Sequence, residues 1–375
     1  LKKIPSEIVL YPTAPGYREL KLGSGRTYFE NSGGDYVRDM RTHKLRPGTV
    51  RDVVVTSRLI DACEHMDLNG VAIYWMYDLV HPDDYERYGV HQVGVPLMCL
   101  HSGKHASIVY ATATDTEIHD YIKTWQICAG GEEAFRKRPC GSQYLAAISP
   151  FYLGGKVEAE DPWGHADTLV VAAKAGAVLH LEPCGLLGAT GPVTVAGLVT
   201  QSLAEFMGLN VAVQAISPGN PVVLNDYTGT FDMGVGQKQE AWPEALLVHL
   251  GLTEMAHYIH VPIDCLCSSA SLEADAQQGW ENMGDFLAMA LAGTDIVCSA
   301  GATSVDKVFD PLALLMGNEI AGWVKHVIKG IPVDDVTIPL DLMMERGSAP
   351  LGGNFLEAEH TLRLYRETMW RPSKV

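Results

Sequence analysis

The chain has 375 residues, of which 47% are hydrophobic and 19% charged, so one large domain or two ordinary ones can bury an ample core. The formal net charge of −17 argues against a nucleic-acid partner, which needs basic patches, and suits a protein that attracts a cation or a basic partner. No apolar run free of charges and turn signals reaches the roughly 18 residues of a membrane span, so none is predicted.

The first 50 residues are rich in turn formers, as in YPTAPGYREL and ENSGGDY. They predict an N-terminal arm of short hairpins over residues 1–50, followed by a single barrel domain over residues 51–375. No signal peptide is evident in the opening segment LKKIPSEIVLYP.

From Val71 onward, apolar runs alternate with helical patterns at the spacing of βα units. Most runs are continuous rather than alternating, which is typical of parallel strands covered on both faces. The pattern predicts an α/β protein with a (β/α)8 TIM barrel. An open doubly wound sheet is the alternative, weakened because no GxGxxG opens the first unit. An eighth strand is not evident, and DVTIPLD or GGNFLE could supply it. The seven runs are GVAIYWMY, ASIVYAT, QYLAAIS, AVLHLE, NPVVLND, PIDCLCS and TDIVCSA.

In a barrel, chemistry lies on the loops that follow the strands. One such loop, PCGLLGATGPVTVAG, runs from Pro183 to Gly197 and carries no charge. Its glycines, Gly188 and Gly191 among them, would let a flat ligand or a partner surface approach the backbone closely, because no Cβ intervenes. The alternative is that they only tighten a strand-to-helix turn.

Several segments resemble, in the same order along the chain, those of the trimethylamine methyltransferase superfamily. They are GATGPVTVAGLVTQSLAEFMG, SPGNPVV, DMG with WPEALL, DAQQGWE, GNEI and GGNFLEAEHT. The amino-terminal segment from GSGRTYFENSGG to RLIDA is also similar to that family's entry segment, so the resemblance covers essentially the whole chain.

The resemblance implies a TIM barrel that transfers a methyl group from a methylated amine to the cob(I)alamin of a separate corrinoid protein. The sequence contains only standard residues. It is therefore similar to the members without pyrrolysine, some of which demethylate quaternary amines such as glycine betaine. The corrinoid-binding pattern of the family's partner proteins, D-x-H-x-x-G, is absent from this sequence. The cobalamin is therefore predicted to be held by the partner protein.

A quaternary ammonium ion cannot donate ordinary hydrogen bonds, and aromatic faces bind it at roughly 0.5–2 kcal/mol per contact. Aromatic residues follow several of the predicted strands and could form such a cage, although each has core packing as its alternative. Asn225 could bind a substrate carboxylate. The substrate-binding candidates are therefore Trp75, Tyr77, Tyr110, Tyr152, Tyr227, Asn225 and Trp370.

Two residues are candidates for a catalytic role. His360 lies in FLEAEHT, and the resemblance implies a place near the corrinoid or the substrate; a helix cap or a core position is the alternative. Asp226 follows the fifth strand, where its carboxylate could pair with the ammonium ion, with an Asx turn as the alternative. The corrinoid-facing candidates are Gly188, Gly191 and His360.

Two rival functions stay open. A metal-dependent TIM-barrel hydrolase would use the pairs His101 with His105 and His257 with His260, but their spacing is poor and no metal is predicted. The other rival function is a non-catalytic binding protein for a methylated cation.

The eight cysteines are scattered and predict reduced thiols in a cytoplasmic protein. The oligomeric state is open, a homo-oligomer included.

Overall fold

Eight parallel strands form the central sheet. The computed structural model describes residues 4–79, 91–108, 115–145, 165–348 and 353–373. From one side of the sheet to the other, the strands are β3 (Tyr28–Asn31), β15 (Ile296–Ala300), β14 (Ile263–Leu266), β11 (Val222–Asp226), β9 (Val178–Leu181), β8 (Gly141–Leu145), β7 (His105–Ile108) and β6 (Leu68–Gly70).

The first and last strands of this sheet, β3 and β6, come together and nearly close it into a barrel. The Asp67 amide donates to the Phe29 carbonyl at 2.7 Å. The Asn31 side chain donates to the Gly70 carbonyl at 2.9 Å and accepts from the Gly70 amide at 2.9 Å. A side-chain amide thus completes the seam, and the TIM-barrel prediction is confirmed.

The eighth strand does not come from either predicted segment. DVTIPLD forms a turn and the start of a helix, and the described part of GGNFLE contains no strand. The strand is β3, within the first 50 residues. Its sequence, YFEN, is short, and its last two residues are polar although they are buried. A search for apolar runs therefore does not find this strand.

Antiparallel hairpins make up much of the remaining N-terminal segment, as predicted. The first pairs β1 (Ile8–Leu10) with β2 (Leu20–Leu22), and the second pairs β4 (Tyr36–Arg38) with β5 (Leu45–Pro47). The first hairpin packs its leucines against the apolar residues at the amino ends of the barrel strands and so plugs that end. The residues in this plug include Leu10, Leu20, Leu22, Tyr28, Leu68, Val178, Val223 and Ile296.

Helices connect most of the successive strands of the sheet, and further helices follow the last strand in the chain. Local signals fix several ends: Thr49 and Asp52 form a capping box at the start of the first helix. Gly293 adopts a left-handed conformation, with φ 85°, at the end of the eighth helix. The helices are α1 (Val50–Ala62), α2 (His91–His101), α3 (Asp115–Ala129), α4 (Glu132–Lys137), α5 (His165–Ala175), α6 (Val195–Ile216), α7 (Pro243–Tyr258), α8 (Ala276–Ala292), α9 (Pro311–Val327), α10 (Leu340–Gly347) and α11 (Glu359–Thr368).

Two small sheets lie at the carboxyl ends of the barrel strands. One contains β10 (Leu186–Leu187), β12 (Gly229–Asp232) and β13 (Gln237–Gln239), which follow β9 and β11. The other joins β16 (Ala302–Thr303) and β17 (Val308–Phe309), which follow β15, to β4 and β5. Both therefore border the mouth of the barrel, where the loops that follow the strands meet.

The chain divides into two units, Leu1–Ala321 and Gly322–Val375. The second contains α10 and α11, whose residues are all at least partly exposed. In the described part of the chain, no helix combines the length and apolar character that crossing a bilayer requires.

Candidate functional site

Three carboxyl groups lie at the mouth of the barrel and are almost fully buried. Glu182 follows β9, Glu240 follows β13, and Asp306 lies in the turn between β16 and β17; their exposed fractions are 3%, 0% and 7%. The Lys238 ammonium forms an ion pair with Glu240 at 2.7 Å. Buried carboxyls are rare unless paired, so three of them around one ammonium indicate a site built for positive charge.

Asp306 is held in place by a strained turn. Ser304, Val305 and Asp306 are successive non-glycine residues with φ of 55°, 54° and 57°. Left-handed conformations cost such residues roughly 1–2 kcal/mol each. Their three amides donate to the loop after β14: to the Ser271 carbonyl at 2.7 Å, the Ser269 carbonyl at 3.1 Å and the Ser268 hydroxyl at 3.1 Å. Strain fixed in this way is typical of functional sites.

Short hydrogen bonds tie the loops of the mouth together. The Ser268 amide donates to Glu240 at 2.6 Å. The Ser32 hydroxyl donates to Asp306 at 3.2 Å and lies 2.8 Å from the Tyr74 hydroxyl. Residues that follow β3, β6, β14 and β15 thus meet around one acidic centre.

Burial shifts the titration of these acids toward neutral pH. It raises the pKa of Glu182 to about 8, although Lys238 acts in the opposite direction. Burial, with repulsion from Glu240, raises the pKa of Asp306 to about 7. A cation that enters the mouth would favour the ionised forms, so the two groups can adjust their charge to a ligand.

Tyr227 brings an aromatic face to the same place. Its ring packs against Tyr144, Leu266 and Cys298 inside the barrel. The ring also contacts the Lys238 ammonium, which lies 3.0 Å from the ring centroid. Of the predicted cage residues that the structure describes, Tyr227 is the one placed among the acids.

A second polar layer lies deeper in the barrel. The Tyr144 hydroxyl lies 2.9 Å from a Glu30 carboxyl oxygen and also contacts Asp264. His180 donates to Asp264 at 2.9 Å, and its ring stacks on Tyr144 with a centroid distance of 4.1 Å. The phenol has one proton to share between the two carboxyl groups. Burial, aided by Asp264, raises the pKa of Glu30 well above its ordinary value and so favours the neutral form of that acid.

Asn225 and Asp226, adjacent at the end of β11, point in opposite directions, as strand geometry requires. Asn225 is paired in register with Asp264, whose side chain belongs to the interior layer. Asn225 is fully buried, and neither atom of its amide has a hydrogen-bond partner among the described residues. A buried unpaired amide is uncommon and indicates a place where a ligand can bind.

The Asp226 carboxylate points away from the mouth, toward helix α7. It pairs with the ring of His249 at 2.6 Å and accepts from the Thr228 amide at 3.0 Å, and both acid and imidazole are fully buried. The structure therefore does not bring Asp226 together with the acids that face the mouth. Its contacts are those of a structural ion pair between a strand and the helix behind it.

Two other predicted cage residues form a separate group at the rim. The rings of Trp75 and Tyr77 lie 6.2 Å apart, and Tyr77 lies 6.3 Å from Tyr36 on β4. Tyr77 is 38% exposed. Tyr110 and Tyr152 lie outside the described residues.

His360 and Trp370 belong to the second unit. The His360 ring bonds to the Val336 carbonyl at 2.8 Å, within that unit. Trp370 is half-buried. Their roles at the corrinoid and at the substrate stay predictions.

The glycine-rich loop forms a tight turn next to β10. The Gly188 amide donates to the Gly191 carbonyl at 3.2 Å, and Gly188 has a φ of 82°, which requires a glycine. The open side of Gly188 faces Val193 and Met233, which are 75% and 74% exposed. Gly191 instead faces α6, and the absence of a side chain there lets the loop pack closely against that helix.

We expect Gly191→Val to destabilise the protein by about 1–3 kcal/mol, because an overpacked side chain must displace its neighbours. A Cβ at Gly191 would lie 2.5 Å from Leu198 Cδ1 and 3.4 Å from Gln201 Oε1. Urea unfolding measures the effect, and Val193→Ala, at an exposed position of the same loop, is the control. Equal stability of the two variants would show that the loop moves away from α6 at no cost.

Sequence reasoning missed the acids and the histidine of the interior. His180 and Glu182 stand in AVLHLE, Asp264 stands in PIDCLCS, and Glu30 stands in YFEN. A charged residue within an otherwise apolar strand run was the available signal, because such a residue must find a buried partner.

Among the described residues, one group of three potential metal ligands lies within 4.8 Å: Asp226, His249 and Cys265. The first two already compensate each other as an ion pair. Of the predicted histidine pairs, His105 is buried in the barrel against Ser142, and burial lowers its pKa to about 3. His257 and His260 line a surface cavity of 440 Å³ at the amino end of the barrel strands, opposite the mouth.

The fold and the mouth define a barrel with an acidic, aromatic centre that suits a cationic ligand. The family model described as trimethylamine methyltransferase (MTTB) matches residues 1–374, and the chain belongs to this family. It is therefore a methyltransferase, rather than the hydrolase or the non-catalytic binding protein left open by the sequence.

Two similar proteins come from Desulfitobacterium hafniense. The chain is 28% identical over 366 residues to trimethylamine methyltransferase MttB of strain DSM 10664 / DCB-2, with 96% of this chain and 69% of that protein covered. It is 23% identical over 376 residues to glycine betaine methyltransferase of strain Y51, with 100% and 74% covered.

A solved structure confirms the fold. The monomethylamine methyltransferase MtmB of Methanosarcina barkeri superimposes with a TM-score of 0.54 and 13% identity, covering 97% of this chain and 77% of that one. At this identity the similarity concerns the fold alone.

Proposed function

We propose that this methyltransferase transfers a methyl group from a quaternary amine of the glycine betaine type to cob(I)alamin carried by a separate corrinoid protein. The observation that carries the proposal is the mouth, where the buried acids Glu240 and Asp306 act on Tyr227 and the buried Glu182 lies near Asp306. A quaternary ammonium ion is bound by aromatic faces and by negative charge, since it has no proton to donate.

The chemistry asks little of the protein in proton transfer. The carbon–nitrogen bond breaks with its electron pair left on nitrogen, so the product is a neutral tertiary amine. The acceptor supplies the electron pair for the new bond. The task of the residues at the mouth is to hold the cation, direct one methyl group outward and keep water away.

Asn225 supports a substrate with a polar tail. Its unpaired amide can donate to a carboxylate, the group that distinguishes glycine betaine from a simple methylamine. Glu182 is expected at the same level of the barrel, because Leu181 is paired in register with Leu224 and the next residue of each strand also faces its partner. The charged head and the polar tail would thus be held by neighbouring strands.

The rim beside the glycine-rich loop suits the approach of a corrinoid partner. Val193 and Met233, which are 75% and 74% exposed, form an apolar surface next to Gly188, and Val235, 68% exposed, lies two residues after Met233. Exposed apolar surface beside a site commonly marks an interaction surface. A flat corrin face could contact this surface without displacing a side chain.

The test is methyl transfer to cob(I)alamin with glycine betaine, proline betaine, carnitine, choline and trimethylamine as donors. We expect the absorbance of cob(I)alamin to disappear with at least one quaternary amine, and more slowly with trimethylamine. Met233→Glu should raise the KM for the corrinoid protein at least roughly tenfold, because it places a charge in an apolar contact, while leaving amine affinity unchanged. No reaction with any of these donors would refute the proposal.

A further inference from the structure

Lys238 is the ammonium that faces the mouth in the described part of the chain. Its side chain, only 15% exposed, runs inward from β13. It donates to the Tyr227 carbonyl at 3.0 Å, forms an ion pair with Glu240 at 2.7 Å, and lies 3.0 Å from the centroid of the Tyr227 ring. A carboxylate, a carbonyl and an aromatic face thus surround this ammonium.

The same surroundings would bind the ammonium group of a substrate. An aromatic face beside a buried carboxylate is the environment in which a desolvated cation gains most. Because these three groups surround the Lys238 ammonium, the lysine cannot also hold the anionic tail of a substrate without losing one of these contacts. It occupies the position that a ligand cation would need.

We propose that Lys238 fills the ammonium subsite in the free enzyme and that the substrate cation displaces it. The inference rests on the proposed function and adds a determinant of specificity to it. Glu240 is fully buried, and a buried charge left without a partner is strongly unfavourable. A ligand with a fixed positive charge can take over that partnership, whereas a neutral amine would leave Glu240 unpaired and is therefore rejected.

Gly229 on β12 makes room for the lysine. A Cβ there would lie 2.9 Å from Lys238 Cε, 3.0 Å from the Gln239 carbonyl oxygen and 3.2 Å from Lys238 Cγ, so the side chain crosses β12 where no side chain obstructs it. A long, unbranched side chain can leave this path by rotation and reach the solvent. Its ammonium then regains hydration, which offsets part of what it loses.

The proposal is tested by calorimetry with tetramethylammonium chloride, which has a charge but no tail. We expect Lys238→Met to bind this ion roughly ten- to thirtyfold more tightly than the parent, the factor of one desolvated cation–π contact. Gly229→Ala keeps every charge but pushes the lysine aside, and it should tighten binding by a smaller factor. Arg136→Met is the control, because it removes the partner of Glu132 on α4, which precedes β8 at the amino end of the barrel, and it should leave the affinity unchanged.

Other outcomes would overturn the inference. If Lys238→Met weakens glycine betaine binding and leaves tetramethylammonium unchanged, the lysine holds the substrate tail. Equal affinities in the parent, Lys238→Met and Gly229→Ala would make it only a structural partner of Glu240. Should Lys238→Met unfold, Gly229→Ala still decides, since it retains the ion pair. A parent enzyme that binds no methylated amine would instead refute the proposed function.

Discussion

The affinity of the enzyme for tetramethylammonium is expected to rise roughly ten- to a hundredfold between pH 6 and pH 9. Each acid that must lose its proton for binding changes the affinity by a factor of about ten for each pH unit below its pKa. The free site is largely neutral at pH 6, because the pKa of Glu182 is raised to about 8 and that of Asp306 to about 7. A fixed cation favours both carboxylates, so binding below these values must expel protons. The ligand has no proton of its own to lose, and the change therefore reports on the protein.

The charges around each acid set the size of this effect. Glu182 is faced by Cys184, Lys238, Asp264 and Asp306, of which Cys184 and Lys238 lower its pKa and the two aspartates raise it. A Glu182→Gln variant removes the group with the higher pKa. It should bind the cation more weakly at pH 9, by at least roughly tenfold, and nearly as well as the parent at pH 6.

Asp306 has a different set of neighbours. Glu240 raises its pKa, while Lys238, Ser32 and Ser268 lower it. In Glu182→Gln the remaining pH dependence should therefore be centred near pH 7, where Asp306 titrates. Calorimetry in buffers of different ionisation enthalpy counts the protons released. A parent enzyme whose affinity is flat from pH 6 to pH 9 would contradict a role for these acids in binding the cation.

The same shifts carry a cost in stability. An acid whose pKa is higher in the folded than in the unfolded state retains its proton on folding. The stability that Glu182 contributes is fully present below its ordinary value of 4.5 and is lost as the pH rises toward about 8. Ligand binding should offset that loss at alkaline pH.

The sequence predicted the parallel strands because their apolar runs leave few alternatives. The strand β3 escaped that search, since its interior face carries Glu30 rather than an aliphatic residue. The direction of side chains was harder still. A period of two shows that Asn225 and Asp226 point in opposite directions, but not which one enters the barrel. Which side chain enters the barrel depends on the tilt and register of all eight strands. A local sequence pattern carries no information about either.

Replacing Asp226 by Asn is expected to lower the free energy of unfolding by about 3–5 kcal/mol, the usual effect of breaking a buried ion pair by removing one partner. His249 is fully buried, and Asp226 is its hydrogen-bonded counter-ion at 2.6 Å. The variant leaves the imidazole without that charge. Asn225→Ala is the matched control, because it changes the adjacent residue, whose amide has no partner to lose among the described residues.

The two variants should differ in which property they change, ligand binding or stability. Asn225→Ala should weaken glycine betaine binding with little change in stability, whereas Asp226→Asn should destabilise the fold and leave the affinity of the folded protein nearly intact. Urea unfolding and calorimetry on both variants measure the two quantities. If Asp226→Asn kept its stability and lost methyl transfer, Asp226 would be the catalytic carboxylate that the sequence predicted.

The pH dependence of unfolding separates the ion pair from the acids of the mouth. Burial raises the pKa of Asp226, but the charge and hydrogen bond of His249 outweigh it and leave the value below 3.8. Burial lowers the pKa of His249, and Asp226 reverses this and leaves it above 6.5. The contribution of Asp226 is thus lost only in acid, and that of His249 only as the pH rises above 6.5. The destabilisation by Asp226→Asn should therefore be largest between pH 4 and 6.5 and should shrink at higher pH, where the imidazole becomes neutral in both proteins.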